Sequence, residues 1–273
     1  MLSNPEITRY SRHLLLPEIR KSGQEKLKNS KVMVIGCGGL GNPALLYLAA
    51  AGIGQLAFLD SDTVDVTNLQ RQILFSTDDL GKPKARVAEE KLRRLNPEIE
   101  IKGNQIRLTP DSALETLSGY DLILETSDNF PTKFLANDAA FFLKTPLIAG
   151  GILRFEGQVF GIIPGETFCY RCVFHSPPPA DAVPNCSQAG VIGAMAGLIG
   201  SMQAAEAVKM LTGAGHSLAG KMIQADLLKS EFRTIRLPRN PRCPLCGENP
   251  AIDSIRAVNY ENTACEIKPA FLR

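Results

Sequence analysis

Apolar residues in this chain fall into short unbroken runs separated by stretches that repeat at helical spacing. Val32-Met33-Val34-Ile35 reads as a strand buried on both faces, and residues 44–51 behind it are apolar enough for a buried helix that Gly52 ends. Residues 55–59 form the next strand. Ala85, Ala88, Leu92 and Leu95 recur at spacings of three and four and predict a helix over 85–95, closed by Asn96-Pro97. A strand over 98–108, a short helix over 111–117, a buried strand over 120–125, a helix over 130–143 and a strand over 146–151 follow. This succession of strand-then-helix units predicts an α/β fold: a Rossmann-like, doubly wound, mainly parallel sheet with helices on both faces. Beyond it, residues 157–163, 221–228 and 231–237 are strands joined by turns, which predicts an antiparallel extension of the sheet. A helix over 190–211 carries Gly193, Gly197, Gly200 and Ser201, small enough for close packing. The expected layout is one domain over 1–273. It has a helical arm over 1–30, a nucleotide-binding half over 31–152, an antiparallel half over 153–247 and a tail over 248–273. A proline-rich loop over 174–189, expected to be mobile, lies inside the antiparallel half.

The residues between these elements carry the candidate chemistry. The first strand runs into Gly36-Cys37-Gly38-Gly39-Leu40-Gly41, a Gly-x-Gly-x-x-Gly turn, with Asn42 as the expected N-cap and Pro43 in the first helical turn. Glycines at that spacing let a backbone turn sharply against a phosphate whose charge faces the positive end of a helix. Asp60 closes the second strand, where a ribose-binding acid belongs. The polar loop after it holds Asp62, Asn68, Gln70, Arg71 and Gln72 at the edge where open sheets bind ligands. Lys84 stands in the first turn of its helix, where a cation opposes the dipole; it either meets a phosphate or is a solvated surface lysine. Asp128, beside Asn129, occupies another strand's mouth and reads either as a magnesium or ribose ligand or as the N-cap of the following helix.

Composition narrows the class. The 273 residues are 44% hydrophobic and 21% charged with a net charge of +2, ordinary for a soluble globule and without the polyelectrolyte balance of a nucleic-acid binder. The N-terminal residues lack the order of a signal peptide and no run reaches membrane-spanning length, so a cytoplasmic protein is expected. Four of the seven cysteines form two Cys-x-x-Cys pairs, Cys169/Cys172 and Cys243/Cys246. Two such turns supply four thiolates to a tetrahedral zinc, here stapling segments 70 residues apart; the alternative is one catalytic dithiol and two incidental cysteines. Cys186 rides the proline-rich loop, where a thiol is accessible.

Together, Arg9-Tyr10-Ser11-Arg12, the glycine turn, Asp60-x-Asp62, Asn68-Leu69-Gln70-Arg71-Gln72, Lys84, Asp128-Asn129 and the paired cysteine knuckles resemble the MoeB/ThiF/HesA adenylyltransferases, relatives of the ubiquitin-activating enzymes, over roughly residues 5–247. The resemblance implies a homodimer that binds ATP-magnesium and the Gly-Gly tail of a small ubiquitin-like sulfur carrier protein. The tail carboxylate attacks the α-phosphate, giving an acyl-adenylate and pyrophosphate. It further implies that Gly36, Gly38, Gly39 and Gly41 lie against the nucleotide, that Asp60 holds the ribose, and that Asn68, Arg71 and Lys84 grip the phosphates. Asp128 would hold magnesium, and Arg12 would reach the phosphates of the partner subunit. Cys186 matches a loop cysteine whose role varies across the family. Longer relatives carry a rhodanese domain after the second knuckle, whereas 27 residues follow Cys246 here, so a separate sulfurtransferase is the expected sulfur donor. The products in view are molybdopterin, thiamin or related sulfur compounds. An NAD-dependent oxidoreductase would use the glycine turn and Asp60 equally well, and an inactive zinc-stapled scaffold that only binds the carrier is a third option. Arg71, Lys84 and Asp128 discriminate, because hydride transfer needs none of them.

Overall fold

Strand β1 (Lys31–Ile35) is buried along four of its five residues and sits at the centre of the parallel part of an eight-stranded sheet. In the computed structural model, residues 1–178 and 189–260 are described. Parallel to β1 run β2 (Gln55–Leu59) and β3 (Glu100–Asn104) on one side, and β4 (Leu122–Glu125) and β5 (Leu147–Leu153) on the other. From β5 the sheet continues antiparallel through β6 (Glu156–Ile162), β7 (Lys221–Asp226) and β8 (Glu231–Arg236), giving the order 3-2-1-4-5-6-7-8. Both the parallel half and its antiparallel extension follow the sequence pattern.

Alternation along β1 sends side chains to two cores. Val32 and Val34 pack with α4 (Gly41–Ala51), α5 (Lys84–Leu95) and the long helix α9 (Gly193–Thr212). Met33 and Ile35 pack with α6 (Ala113–Leu117) and α7 (Phe130–Leu143). The N-terminal arm is α1 (Asn4–Arg9), α2 (Ser11–Leu14) and α3 (Arg20–Asn29), and α8 (Tyr170–Val173) is a single turn inside the first cysteine knuckle. Strand β3 is shorter than the alternation over 98–108 suggested, because the chain leaves the sheet after Asn104 at a sheet edge with one neighbour. The proline-rich loop lies largely outside the described residues, and Cys186 and Cys265 with it.

Asn42 does not cap α4. The helix starts at Gly41 with Leu40 at the cap position and no side-chain bond. Asn42 is instead fully buried: its Nδ2 donates to the Cys37 carbonyl at 2.6 Å and its Oδ1 accepts from the Leu74 N–H at 2.8 Å. It therefore ties the glycine turn to the polar loop beside it. Residues 248–260 are no loose tail either, since Tyr260 is buried in the same core as α7 and Ile255 packs against it. Because Asn42→Ala orphans two buried backbone groups, it is expected to lower unfolding free energy by about 2–4 kcal/mol. Urea denaturation measures this, and a loss under about 1 kcal/mol would show that Asn42 is not a structural tie.

Candidate functional site: a glycine turn ringed by charge, and a four-cysteine centre

The turn at the end of β1 is built so that its backbone stays free of side chains. Gly36 takes the left-handed conformation, with φ of +93°, and its N–H donates to the Leu59 carbonyl at 2.8 Å. A methyl on Gly41 would overlap the Gly36 carbonyl, so only glycine allows α4 to begin so close behind the strand. Asp60 sits beside the turn: its Oδ2 accepts from the Cys37 N–H at 2.8 Å and its Oδ1 from the Asp62 N–H at 2.9 Å. Burial, and then the Asp60 carboxylate, push the Cys37 thiol well up, so it stays neutral.

The polar loop lies across the turn. The Arg71 side chain passes over Gly39, where an added methyl would lie 3.6 Å from its Cγ and Cδ, and its Nη1 donates to the Thr67 carbonyl at 3.0 Å. Gln72 is buried beside Gly38, and its Oε1 has no partner among the described residues. Asn68 is half-buried and donates to Thr67 Oγ1 at 3.4 Å. Gln70 exposes its side chain while its carbonyl abuts Gly193 at the start of α9. Of the small residues in α9, Gly193 and Gly200 make close backbone approaches, whereas Gly197 faces open space.

Lys84 is neither solvated nor alone. It is 4% exposed and pairs with exposed Asp62 at 3.1 Å, while its N–H donates to the Asp62 carbonyl at 2.9 Å. The acid offsets a cation that would otherwise oppose the dipole of α5. At the mouth of β4, Thr126 Oγ1 lies 2.7 Å from the Gly36 carbonyl, which brings the 126–129 turn against the glycine turn. The cap of α7 is Asn129, whose side chain accepts from the Thr132 N–H at 2.9 Å. Asp128 is thereby released from capping, and its exposed carboxylate makes no hydrogen bond or ion pair among the described residues.

Arg12 is not brought to this site within the chain. Its neighbour Tyr10 packs on Gly52, at the opposite end of α4 from Gly41, and accepts from Asn96 Nδ2 at 2.8 Å. Eleven helical residues set those ends about 16 Å apart.

The two cysteine knuckles meet on the α7 side of the sheet. The sulfurs of Cys169, Cys172, Cys243 and Cys246 all lie within 4.8 Å of one another, with Cys169–Cys172 at 3.9 Å, Cys169–Cys243 at 3.5 Å and Cys172–Cys246 at 3.3 Å. A tetrahedral ion with bonds of about 2.3 Å to sulfur separates its ligands by about 3.8 Å, so these thiols can hold one metal ion. Backbone N–H groups of Cys169 and Asn240 reach Cys172 Sγ, each at 3.4 Å, and support negative charge there. Cys172 and Cys243 are drawn down, in both cases chiefly by the Cys169 thiol, while Cys169 is pushed up by its bond to Cys172.

A family model described as the ThiF family matches residues 10–245. The chain belongs to the ThiF family. Over 261 residues it is 47% identical to the sulfur carrier protein adenylyltransferase of Thermus thermophilus, covering 94% of this chain and 96% of that one. It is 45% identical over 261 residues to the adenylyltransferase and sulfurtransferase MOCS3 of Drosophila sechellia, but there it spans 57% of the longer protein. Among solved structures, E. coli MccB with AMPCPP and MccA matches with a TM-score of 0.77 at 26% identity, covering 90% of this chain and 75% of that one.

In this ThiF-family chain the pattern of motifs did not reveal Arg171, which sits between the two cysteines of the first knuckle. It is 2% exposed, clasps Asp138 of α7 with Nε and Nη2 at 2.8–3.0 Å, and stacks over Phe134 and Tyr260. Tyr260 Oη donates to the same carboxylate at 3.1 Å. The available signal was local: an arginine set between two paired cysteines is drawn inward with them, and a buried guanidinium must meet an acid. With an ion held by all four thiols and stapling the two knuckles, Cys243→Ser is expected to release that ion and lower the melting temperature by roughly 10 °C. Nucleotide affinity of the still-folded protein should change less than about twofold, as the turn at Gly36 shares no ligand with the cysteines. Calorimetry with metal analysis checks the first expectation and a nucleotide titration the second.

Proposed function

We propose that this chain is an adenylyltransferase that uses ATP to activate the C-terminal glycine carboxylate of a small ubiquitin-like sulfur carrier protein as an acyl-adenylate. The observation that carries this reading is the gathering of Arg71 and Lys84 with the free Asp128 carboxylate around one glycine turn. Attack by a carboxylate anion on a triphosphate concentrates negative charge, and cations held in place offset it. No general base is needed, because the nucleophile is already ionised. Family membership, with full-length similarity to a sulfur carrier protein adenylyltransferase, supports this over an NAD-dependent oxidoreductase or an inactive scaffold.

In this reading, backbone N–H groups of Gly38, Gly39 and Gly41 face the phosphates, Gly36 shapes the turn while its own N–H stays bonded to the Leu59 carbonyl, and Asp60 takes the ribose hydroxyls with its remaining lone pairs. Asn68, Gln70, Arg71 and Gln72 line the phosphate path. Lys84 turns from Asp62 toward the β- and γ-phosphates, with Asp62 keeping it in place. Asp128, an exposed oxygen donor beside that path, fits the habit of magnesium to take one or two carboxylates plus substrate phosphates. When bound, magnesium would neutralise charge on the leaving pyrophosphate. The four thiolates fit zinc, which would staple the two knuckles and take no part in the chemistry. The free thiols at Cys37 and at the four-cysteine centre suit a reducing cytoplasm. The acyl-adenylate then goes to a separate sulfurtransferase, and Cys186, which lies outside the described residues, is the candidate thiol for tethering the carrier during that step. Molybdopterin and thiamin biosynthesis both consume such a product.

Arg12 completes the site only from a second subunit, since its own glycine turn lies beyond α4. The active form is therefore a homodimer. Asp128→Ala is expected to cut carrier-dependent exchange of pyrophosphate into ATP by at least ~100-fold while the protein stays folded. Exchange within about threefold of the parent would remove Asp128 from the reaction. Mixing inactive Arg12→Ala and Asp128→Ala subunits should restore about a quarter of the sites after exchange, those pairing an intact Arg12 with an intact Asp128. No recovery in verified mixed dimers would place Arg12 outside the partner's site.

A further inference from the structure

Ser127, the residue ahead of Asp128, is anchored by a buried ion pair that the adenylation chemistry does not itself use. Glu125, the last residue of β4, is fully buried, and Lys133, one turn into α7, is 9% exposed. Lys133 Nζ donates to Glu125 Oε2 and to the Gly150 carbonyl, both at 2.5 Å. The other carboxylate oxygen, Oε1, accepts from the Ser127 N–H at 2.8 Å and from the Ser127 hydroxyl. Burial pushes the Glu125 carboxyl up, and the Lys133 charge works against that rise.

An ion pair taken out of water adds little net stability, because desolvation of both groups roughly cancels their attraction. An apolar pair would fill the space as well. What this pair supplies is geometry: its hydrogen bonds run to the turn that presents Asp128 and to the adjoining strand β5. Every other residue of that turn is held. Thr126 N–H donates to the Ile35 carbonyl at 3.0 Å, Ser127 is bound twice by Glu125, and Asn129 caps α7. On the strand side, Gln203 of α9 donates to the Glu125 carbonyl at 2.9 Å and lies 3.2 Å from the Ile148 carbonyl. Asp128 alone in the turn is exposed with a carboxylate that has no partner among the described residues.

We propose that Glu125 and Lys133 are positioning residues that hold the Ser127-Asp128-Asn129 turn so that Asp128 is preset to receive a divalent cation. The inference rests on Asp128 being the metal-binding carboxylate of the proposed function. A group that orients a ligand without touching the metal controls affinity through the ligand's placement, and its loss commonly costs 10–100-fold in metal affinity.

The test uses the intact protein with Mn2+ as the probe and a non-hydrolysable ATP analogue, reading free and bound Mn2+ by electron paramagnetic resonance. Lys133→Met is expected to weaken Mn2+ binding about tenfold, with analogue binding in the absence of metal unchanged, and Lys133→Arg should restore most of the affinity. If Lys133→Met does not fold, Ser127→Ala decides: it removes one bond to Glu125 from a half-buried site and should weaken Mn2+ binding about threefold. A folded Lys133→Met, or failing that Ser127→Ala, with parental Mn2+ affinity overturns the proposal, even if its melting temperature falls. Asp128→Ala separates the two ideas. If Asp128→Ala keeps Mn2+ affinity, the metal role of Asp128 fails; if it loses affinity while Lys133→Met does not, only the positioning role fails.

Discussion

The absence of a side chain at Gly41 is the constraint on which the glycine-turn side of the molecule depends. With any Cβ there, α4 would have to draw back from the Gly36 carbonyl, and the turn would open. Gly200 repeats the device from the other direction, letting α9 approach the Leu40 carbonyl, and Gly193 lets the same helix touch the Gln70 carbonyl. Three backbone-to-backbone contacts therefore set how far the turn, the polar loop and the longest helix stand apart. A site defined by main chain has few side-chain rotamers to order when a ligand arrives, which lowers the entropic cost of binding.

The sheet and its two halves were legible because buried parallel strands are short apolar runs and the antiparallel ones are joined by turns. The glycine turn and the cysteine knuckles were legible because each is a local motif. What escaped was determined by partners distant in sequence. Asn42 looks like a cap, but a fully buried amide beside two unsatisfied backbone groups is used more strongly as a cross-tie. Asp128 and Asn129 are adjacent and both can cap; the structure gives the cap to Asn129, and nothing in their spacing decides between them. Lys84 was left between a phosphate and solvent because Asp62, its partner, lies 22 residues away. Strand β3 ended early because alternation cannot reveal where a sheet runs out of neighbours.

Helix α7 links features that read as unrelated along the chain. Asn129 caps it, Lys133 braces the Asp128 turn one turn later, Asp138 receives Arg171 near its middle, and Phe141 and Phe142 pack beside the four cysteines. Burial pushes the Asp138 carboxyl up, and Arg171 opposes the rise, so this pair is a costly one retained at a junction. Through this one rod the four-cysteine centre shares a rigid body with the mouth of β4, although none of those four cysteines belongs to the glycine turn.

The burial of Tyr260 has a bearing on chain architecture. Its ring lies against the Arg171 guanidinium and its hydroxyl on Asp138, so the chain is gripped at residue 260 on the face that carries the cysteines. Residue 260 is thereby a fixed point on that face, against which the reach of anything joined beyond it is measured. An anchor of this kind restricts the volume that a joined module explores and raises its effective concentration over the anchored face.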